Sequence, residues 1–246
     1  MSPDIIFPKV GYYLYDHCIL SIVKLIRGQI RTRQKQDYLM IKDSTLEGFL
    51  EDLASKSPTP GGGSAAAVIG AMGAALVSMV ANLTMGKKGY ESVSKDMEML
   101  QIRSDKYRKQ FIDMIQDDVD VFNGVMAAYK MPKESALEKQ ARDDAIQAAL
   151  KKATDVPLDC AILCMDVIEL TRQAAEKGNQ NVISDAGVAV LAAEAAMGSA
   201  ALNVYINLAN ITDKAFVDDR RQRLEAVLAA SGELTEMVYT LVKSKV

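Results

Sequence analysis

The sequence predicts an all-α fold: a single-domain bundle of six or seven helices with small-residue-rich central helices. Three observations carry that prediction. Beyond Met40 no stretch shows the apolar/polar alternation of a half-buried strand. Apolar residues recur instead at helical spacing, as in Leu100, Tyr107, Phe111, Ile115, Phe122, Met126 and Tyr129. Two long segments, 64–85 and 184–210, are dominated by Ala and Gly and carry few or no charges. Helices with so little side-chain bulk need neighbours on several sides, and a subunit interface is one way to supply them.

Each element has its own signal. Ser44-Thr45-Leu46-Glu47 reads as a capping box opening a first helix to about Ser55. The run Ser57-Pro58-Thr59-Pro60-Gly61-Gly62-Gly63-Ser64 then forbids helix, because each proline fixes φ and pushes the residue before it toward extended geometry. Three glycines open conformations closed to other residues and let a ligand or a second backbone come close. Ser64 is the expected N-cap of the second helix, 64–85, which stops at Gly86 with Lys87 and Lys88 complementing its dipole. Its unpaired N–H groups favour an anion, and the competing interpretation is a capped interior helix on a tight loop. A third helix is expected over 91–129, ending before Pro132, and a fourth over 134–152. The fifth starts at Pro157, a first-turn position, and ends at Lys177-Gly178-Asn179. The sixth covers 184–210, and the last runs from 214 to the C-terminus with Gly232 as a kink.

Composition narrows the function classes. A chain of 246 residues suits one domain with a real core, and a formal charge of −3 argues against a general nucleic-acid binder. The three cysteines, Cys18, Cys160 and Cys164, make no disulfide framework and fit a reducing cytoplasm. Cys160 and Cys164 lie one helical turn apart without a histidine or third cysteine nearby in sequence, which favours core packing over a metal. The run 64–85 is long enough to span a bilayer, but its Ser, Asn, Thr, Ala and Gly contribute little insertion energy. A helix inside a soluble bundle, with no membrane partner, is the expectation. Residues 1–39 stand apart: they hold the single histidine (His17), an apolar stretch over 18–26 and a following basic run. That order is wrong for a secretory signal, and the stretch is too short to cross a membrane. They are expected to be an atypical extension without function, ahead of a helical domain over 40–246.

With no histidine after residue 17, acid–base chemistry in the main body falls to Asp, Glu, Lys, Tyr or Cys. At about 100° per residue the sixth helix aligns Asp185, Ser199, Asn203, Asn207 and Asn210 within about 40° of one line. Ser64, Ser78 and Asn82 repeat that spacing on the second helix, so two polar seams are expected to face each other across a cleft. The alternative is that Ser and Asn tie close-packed helices together, with Asp185 complementing a helix dipole. Asp118 falls on the apolar stripe between Phe111, Ile115 and Phe122, where a carboxylate needs a donor or a cation beside it. Lys87, Lys88 and Tyr90 follow the second helix, as anion-binding groups or as charge complements of its end.

Several separated motifs carry a resemblance. SPTPGGGSAAA followed by MVANLTMGKKGY, together with STLEGFLEDLASK, DVDVFNGVMAAYKMPK and GNQNVISDAGVAVLAAEAAMGSAALNVYINL, resembles the folate cyclodeaminase/cyclohydrolase family over residues 40–246. The resemblance implies an enzyme of one-carbon tetrahydrofolates, with no metal and no cofactor beyond the tetrahydrofolate substrate. The expected reaction is the cyclodeaminase one, 5-formiminotetrahydrofolate giving 5,10-methenyltetrahydrofolate and ammonia. The alternative is methenyltetrahydrofolate cyclohydrolase, and a third, of another class, is a non-catalytic folate-binding or structural helical oligomer. Acids recur in the family at the places of Asp118 and Asp185, which makes these the expected catalytic pair. Gly61, Gly62, Gly63, Ser64, Asn82, Lys87, Lys88, Asn203 and Asn207 are the expected substrate-binding residues, the lysines holding carboxylates of a folate tail, polyglutamylated or not. A homo-oligomer, at least a dimer, is the expected assembly.

Overall fold

The computed structural model describes residues 40–246. The chain divides into two compact units, Met1–Ser44 and Thr45–Val246. Only the end of the first is described, a 3-10 turn at Ile41–Asp43, so the expectations for residues 1–39 lie outside the described residues. The second unit contains six α-helices and no strand among the described residues: α1 Leu46–Leu53, α2 Gly62–Asn82, α3 Ser94–Tyr129, α4 Ala136–Lys177, α5 Ile183–Leu208 and α6 Lys214–Lys243. The all-α prediction holds.

Helices α2, α3, α4 and α5 form a ring in which each packs on the next, and α6 lies against α4 and α5. The small residues of α2 and α5 make this packing close. A Cβ on Gly73 of α2 would stand 3.1 Å from the Ala189 carbonyl of α5, so the two helices touch and no cleft separates them. A Cβ on Gly70 would come within 2.6 Å of the Phe111 ring, which rests fully buried on that glycine. Ser64 and Ser78, the expected seam of α2, face α3: Ser78 Oγ lies 2.8 Å from Ser104 Oγ and donates to Asp105 Oδ1 at 3.0 Å. Cys160 and Cys164 are buried in the core, where a hydrogen bond with Cys160 and burial push the Cys164 thiol up. Helices α2 and α5 are each long and apolar enough to cross a membrane, and their inner sides are buried in the ring. Their outer sides expose Met72 and Met79 on α2, with Leu83 just past its end, and Val188, Leu191, Leu202 and Ile206 on α5.

Several boundaries differ from expectation for physical reasons. The cap of α1 is Thr45, one residue later than the capping box implied, with Thr45 Oγ1 accepting from Gly48 N–H at 3.1 Å. Helix α2 begins at Gly62, so Ser64 is inside its first turn and Gly61 is the cap. The chain leaves α2 through Gly86 and Gly89, whose φ values of 72° and 90° suit glycine. The fourth and fifth expected helices are one helix, α4, with Pro157 buried in its interior. It opens with a capping box in which Ser135 accepts from Glu138 N–H and Glu138 accepts from Ser135 N–H. Helix α6 passes Gly232 without a break. On α3, Leu100, Phe111 and Ile115 are buried as expected, whereas Met126 and Tyr129 are exposed at its C-terminal end.

Candidate active site

The glycine loop, the C-terminal half of α3 and the C-terminal end of α5 converge at one end of the ring. Asp118 reaches from α3 to the first turn of α2, where the N–H and the hydroxyl of Ser64 both donate to its Oδ2, each at 2.8 Å. The anion favoured by the helix N-terminus is thus a side chain of the same protein, seated at the positive end of the α2 dipole. Neither lysine nor arginine pairs with Asp118 among the described residues, and its neighbours are donors from α2.

Gly63 makes this approach sterically feasible. A Cβ there would lie 2.6 Å from Asp118 Cγ and closer still to Oδ1. Gly62 and Gly61 are less constrained: a Cβ would meet Asn203 Nδ2 at 3.6 Å and the Pro58 carbonyl at 3.7 Å, both ordinary contacts. None of the three has positive φ, so close approach, and not a special backbone conformation, is what calls for glycine, and it does so at Gly63.

Beside Asp118 opens a cavity of about 350 Å³ between α3, α4 and α5. Its polar wall is Asp118, Asn203, Asn207 and Asn210, and Phe122, Val125, Leu150 and Ile206 give apolar surface. Asn203 Nδ2 donates to the Ser199 carbonyl at 2.9 Å, Asn210 Nδ2 to the Ile206 carbonyl at 2.9 Å, and Asn207 Nδ2 to the Ala153 carbonyl at 2.7 Å. The second oxygen of Asp118 has no hydrogen-bond partner among the described residues. A carboxylate and amide oxygens on a partly apolar wall suit a flat, donor-bearing or cationic ligand. A larger cavity, about 610 Å³, lies between the end of α3 and the N-terminal half of α4, lined mainly by alanines with Asp120 and Lys152 among them.

The remaining expected site residues lie at the opposite end of the bundle. Asn82 and Leu83 are exposed where α2 ends, about 30 Å along the helix from Gly62. Lys87 donates to Asn179 Oδ1 at 2.7 Å and stands 6.0 Å from the Tyr90 ring, and Tyr90 Oη accepts from Gln180 N–H at 3.0 Å. The Asn179 side chain also donates to the Leu83 carbonyl and its backbone N–H donates to Thr84 Oγ1, so this knot ties the end of α2 to the start of α5. Lys88 is exposed beside it. Asp185 lies in the first turn of α5, about 27 Å of helix rise from Asn203. A single chain therefore brings together Gly61, Gly62, Gly63, Ser64, Asp118, Asn203 and Asn207, and places Asn82, Lys87, Lys88 and Asp185 elsewhere. The expected pairing of Asp118 with Asp185 fails within one chain because a shared helical face does not shorten the distance along the axis. Asn210, Tyr129 and Pro157 also line the cavity and were not among the expected site residues. Asn210 shares the seam that singled out Asn203 and Asn207, whereas nothing local marks Tyr129.

Known proteins share this architecture and sequence. The formiminotransferase-cyclodeaminase family model matches residues 45–226. A methenyltetrahydrofolate cyclohydrolase from Methylorubrum extorquens is 55% identical over 207 residues, covering 84% of this chain and 100% of that protein. The rat formimidoyltransferase-cyclodeaminase is 33% identical over 186 residues, or 76% of this chain, which spans 34% of that longer protein. The crystal structure of formiminotetrahydrofolate cyclodeaminase from Thermotoga maritima superposes with a TM-score of 0.71 at 34% identity, covering 83% of this chain and 96% of the other. Sequence match over most of the helical unit and a shared fold at that identity lead to one assignment: the chain belongs to the formiminotransferase-cyclodeaminase family.

Proposed function

We propose that this protein is a one-carbon tetrahydrofolate enzyme and that its reaction is the hydrolysis of 5,10-methenyltetrahydrofolate to 10-formyltetrahydrofolate. The observation that carries the choice of reaction is the 55% identity to the Methylorubrum cyclohydrolase along that protein's whole length. It favours the cyclohydrolase, the alternative, over the cyclodeaminase expected from the sequence. The cyclodeaminase is the second reading, favoured by the Thermotoga cyclodeaminase at 34% identity.

The cavity chemistry supports either member of this pair. The substrate's methenyl carbon bridges N5 and N10 in a cationic amidine, and a nearby carboxylate lowers the energy of that cation and of the tetrahedral adduct. In the hydrolysis, a water oxygen bonds to that carbon and one water proton passes to Asp118 Oδ1, the carboxylate oxygen left open by Ser64. The adduct's C–N5 bond then breaks, the hydroxyl becomes the formyl C=O, and its proton ends on N5. The proton held by Asp118 leaves to solvent, which balances the cation, one water, the neutral formyl product and one released proton. Ser64 holds the carboxylate in place, and Asn203 and Asn207 orient the pterin. The enzyme works without a metal or redox cofactor, in the cytoplasm, on mono- or polyglutamylated folate, and as a homo-oligomer of at least two chains. The apolar outer faces of α2 and α5 support the last point.

Incubating the purified protein separately with 5,10-methenyl- and 5-formiminotetrahydrofolate tests the choice. Faster turnover of the methenyl compound is expected. Ammonia release exceeding formyl production would transfer the assignment to the cyclodeaminase, and folate binding without turnover of either would leave a binding protein.

A further inference from the structure

Pro157 sits buried in the middle of α4, where its ring removes a helical N–H and crowds the carbonyl four residues earlier. That carbonyl belongs to Ala153. Deprived of its helical donor, it takes the side-chain Nδ2 of Asn207 from α5 at 2.7 Å. A carbonyl only accepts, so the contact fixes which way the Asn207 amide faces: NH2 toward α4, and Oδ1 left without a partner among the described residues. The residue lines the same cavity as Asp118. Asn203 and Asn210 likewise commit their NH2 groups to backbone carbonyls. Each amide turns its oxygen away from the carbonyl it serves and keeps one further N–H, and all three stand beside a carboxylate. A wall rich in acceptors favours a ligand edge rich in donors.

We propose that Pro157 is a positioning residue: by leaving the Ala153 carbonyl unpaired it locks Asn207 as a hydrogen-bond acceptor for the N–H edge of the bound pterin. This rests on the tetrahydrofolate assignment above. The reduced pterin presents its exocyclic amino group and ring N–H groups as donors, and three oriented amide oxygens with Asp118 complement such an edge. Any residue with a backbone N–H at position 157 would satisfy Ala153 by itself. Asn207 would then share that carbonyl with a helical N–H, and the contact that orients its amide would weaken.

The test is a double-mutant cycle on the full chain: wild type, Pro157→Ala, Asn207→Ala and the double variant, each measured for thermal midpoint, tetrahydrofolate affinity and steady-state kinetics. In the Pro157 background, Asn207→Ala orphans a buried carbonyl and lowers the midpoint by roughly 3–8 °C. In the Pro157→Ala background the same change lowers it by under about 2 °C, because the new N–H serves Ala153. Additive losses overturn the structural link. Pro157→Ala alone keeps the midpoint at or above wild type, yet weakens tetrahydrofolate binding about tenfold and raises KM, with kcat within about threefold. Wild-type affinity in that variant overturns the positioning role. If Pro157→Ala does not fold, Asn207→Asp decides the link: it removes the NH2 at constant size, so its midpoint falls as in Asn207→Ala, and an unchanged midpoint overturns the proposal. Absence of tetrahydrofolate binding in the wild type would overturn the folate assignment, and the thermal cycle would still decide the link between Pro157 and Asn207.

Discussion

Gly63→Ala is the smallest change that reaches the centre of this site. The added methyl carbon would lie 2.6 Å from Asp118 Cγ, against about 3.5 Å for an unstrained contact, so the carboxylate must retreat by roughly 1 Å. That displacement stretches both Ser64 hydrogen bonds from 2.8 Å beyond useful length. Hydrogen bonds to a charged group contribute about 1.5–3 kcal/mol each. Water recovers part of that at a half-buried carboxylate, and alanine returns some helix propensity, leaving a net loss of about 2–3 kcal/mol. For a chain of this size that lowers the thermal midpoint by roughly 4–12 °C. Turnover should fall about a hundredfold, since the proposed proton acceptor is moved. Gly62→Ala is the internal control: its Cβ meets Asn203 at an ordinary 3.6 Å, so its midpoint should stay within a few degrees of wild type. In an Asp118→Ala background the Gly63 change should become nearly harmless, since the clash is removed. Thermal melts of the four proteins decide the matter. Equal effects of the two glycine changes, or an undiminished penalty without Asp118, would refute the steric argument.

Asp185→Asn should leave kcat within about threefold, because a single chain holds Asp185 far from the cavity; a hundredfold loss would mean that a second copy brings this acid to the site. Light scattering at micromolar concentration should give at least a dimer mass, and a Leu202→Lys, Ile206→Lys double variant should reduce it; a monomeric wild type would contradict this. Asp213 caps α6, and its carboxyl lies below the usual range because of the Lys151 ammonium first and the Phe216 N–H second. A depressed carboxylate contributes stability above its unfolded pKa and loses it as pH falls through the folded value. Asp213→Asn should therefore flatten the dependence of midpoint on pH below about 4, and an unchanged acid limb would count against the cap.

The helical class and most helix positions were legible because helix propensity, apolar spacing and Gly/Pro punctuation agree along this chain. The glycine loop, Asp118 and the Asn203–Asn207 seam were found for similar reasons: a carboxylate on an apolar stripe and amides on an alanine-rich helix are both out of place. What failed was register in three dimensions. Asp185 shares a face with Asn203, and periodicity reports the face without saying which end of the bundle a ligand occupies. The helix break expected before Pro157 is absent, and Asn207, fifty residues onward, donates to the Ala153 carbonyl that the proline leaves without a helical partner. Such compensation is invisible to local rules. Gly61, Gly62 and Gly63 looked equivalent in sequence, and the approach of Asp118 from another helix separates them.

The central claim is that the Asp118 carboxylate, held by Ser64 at the start of α2, performs the chemistry on a methenyl-type folate. Turnover of 5,10-methenyltetrahydrofolate by wild type and Asp118→Asn, with thermal midpoints measured in parallel, tests it most directly. The amide keeps the size of the side chain and still offers Ser64 an oxygen, so the midpoint should shift by only a few degrees while kcat falls about a hundredfold or more. Wild-type kcat in a folded Asp118→Asn protein would contradict the account.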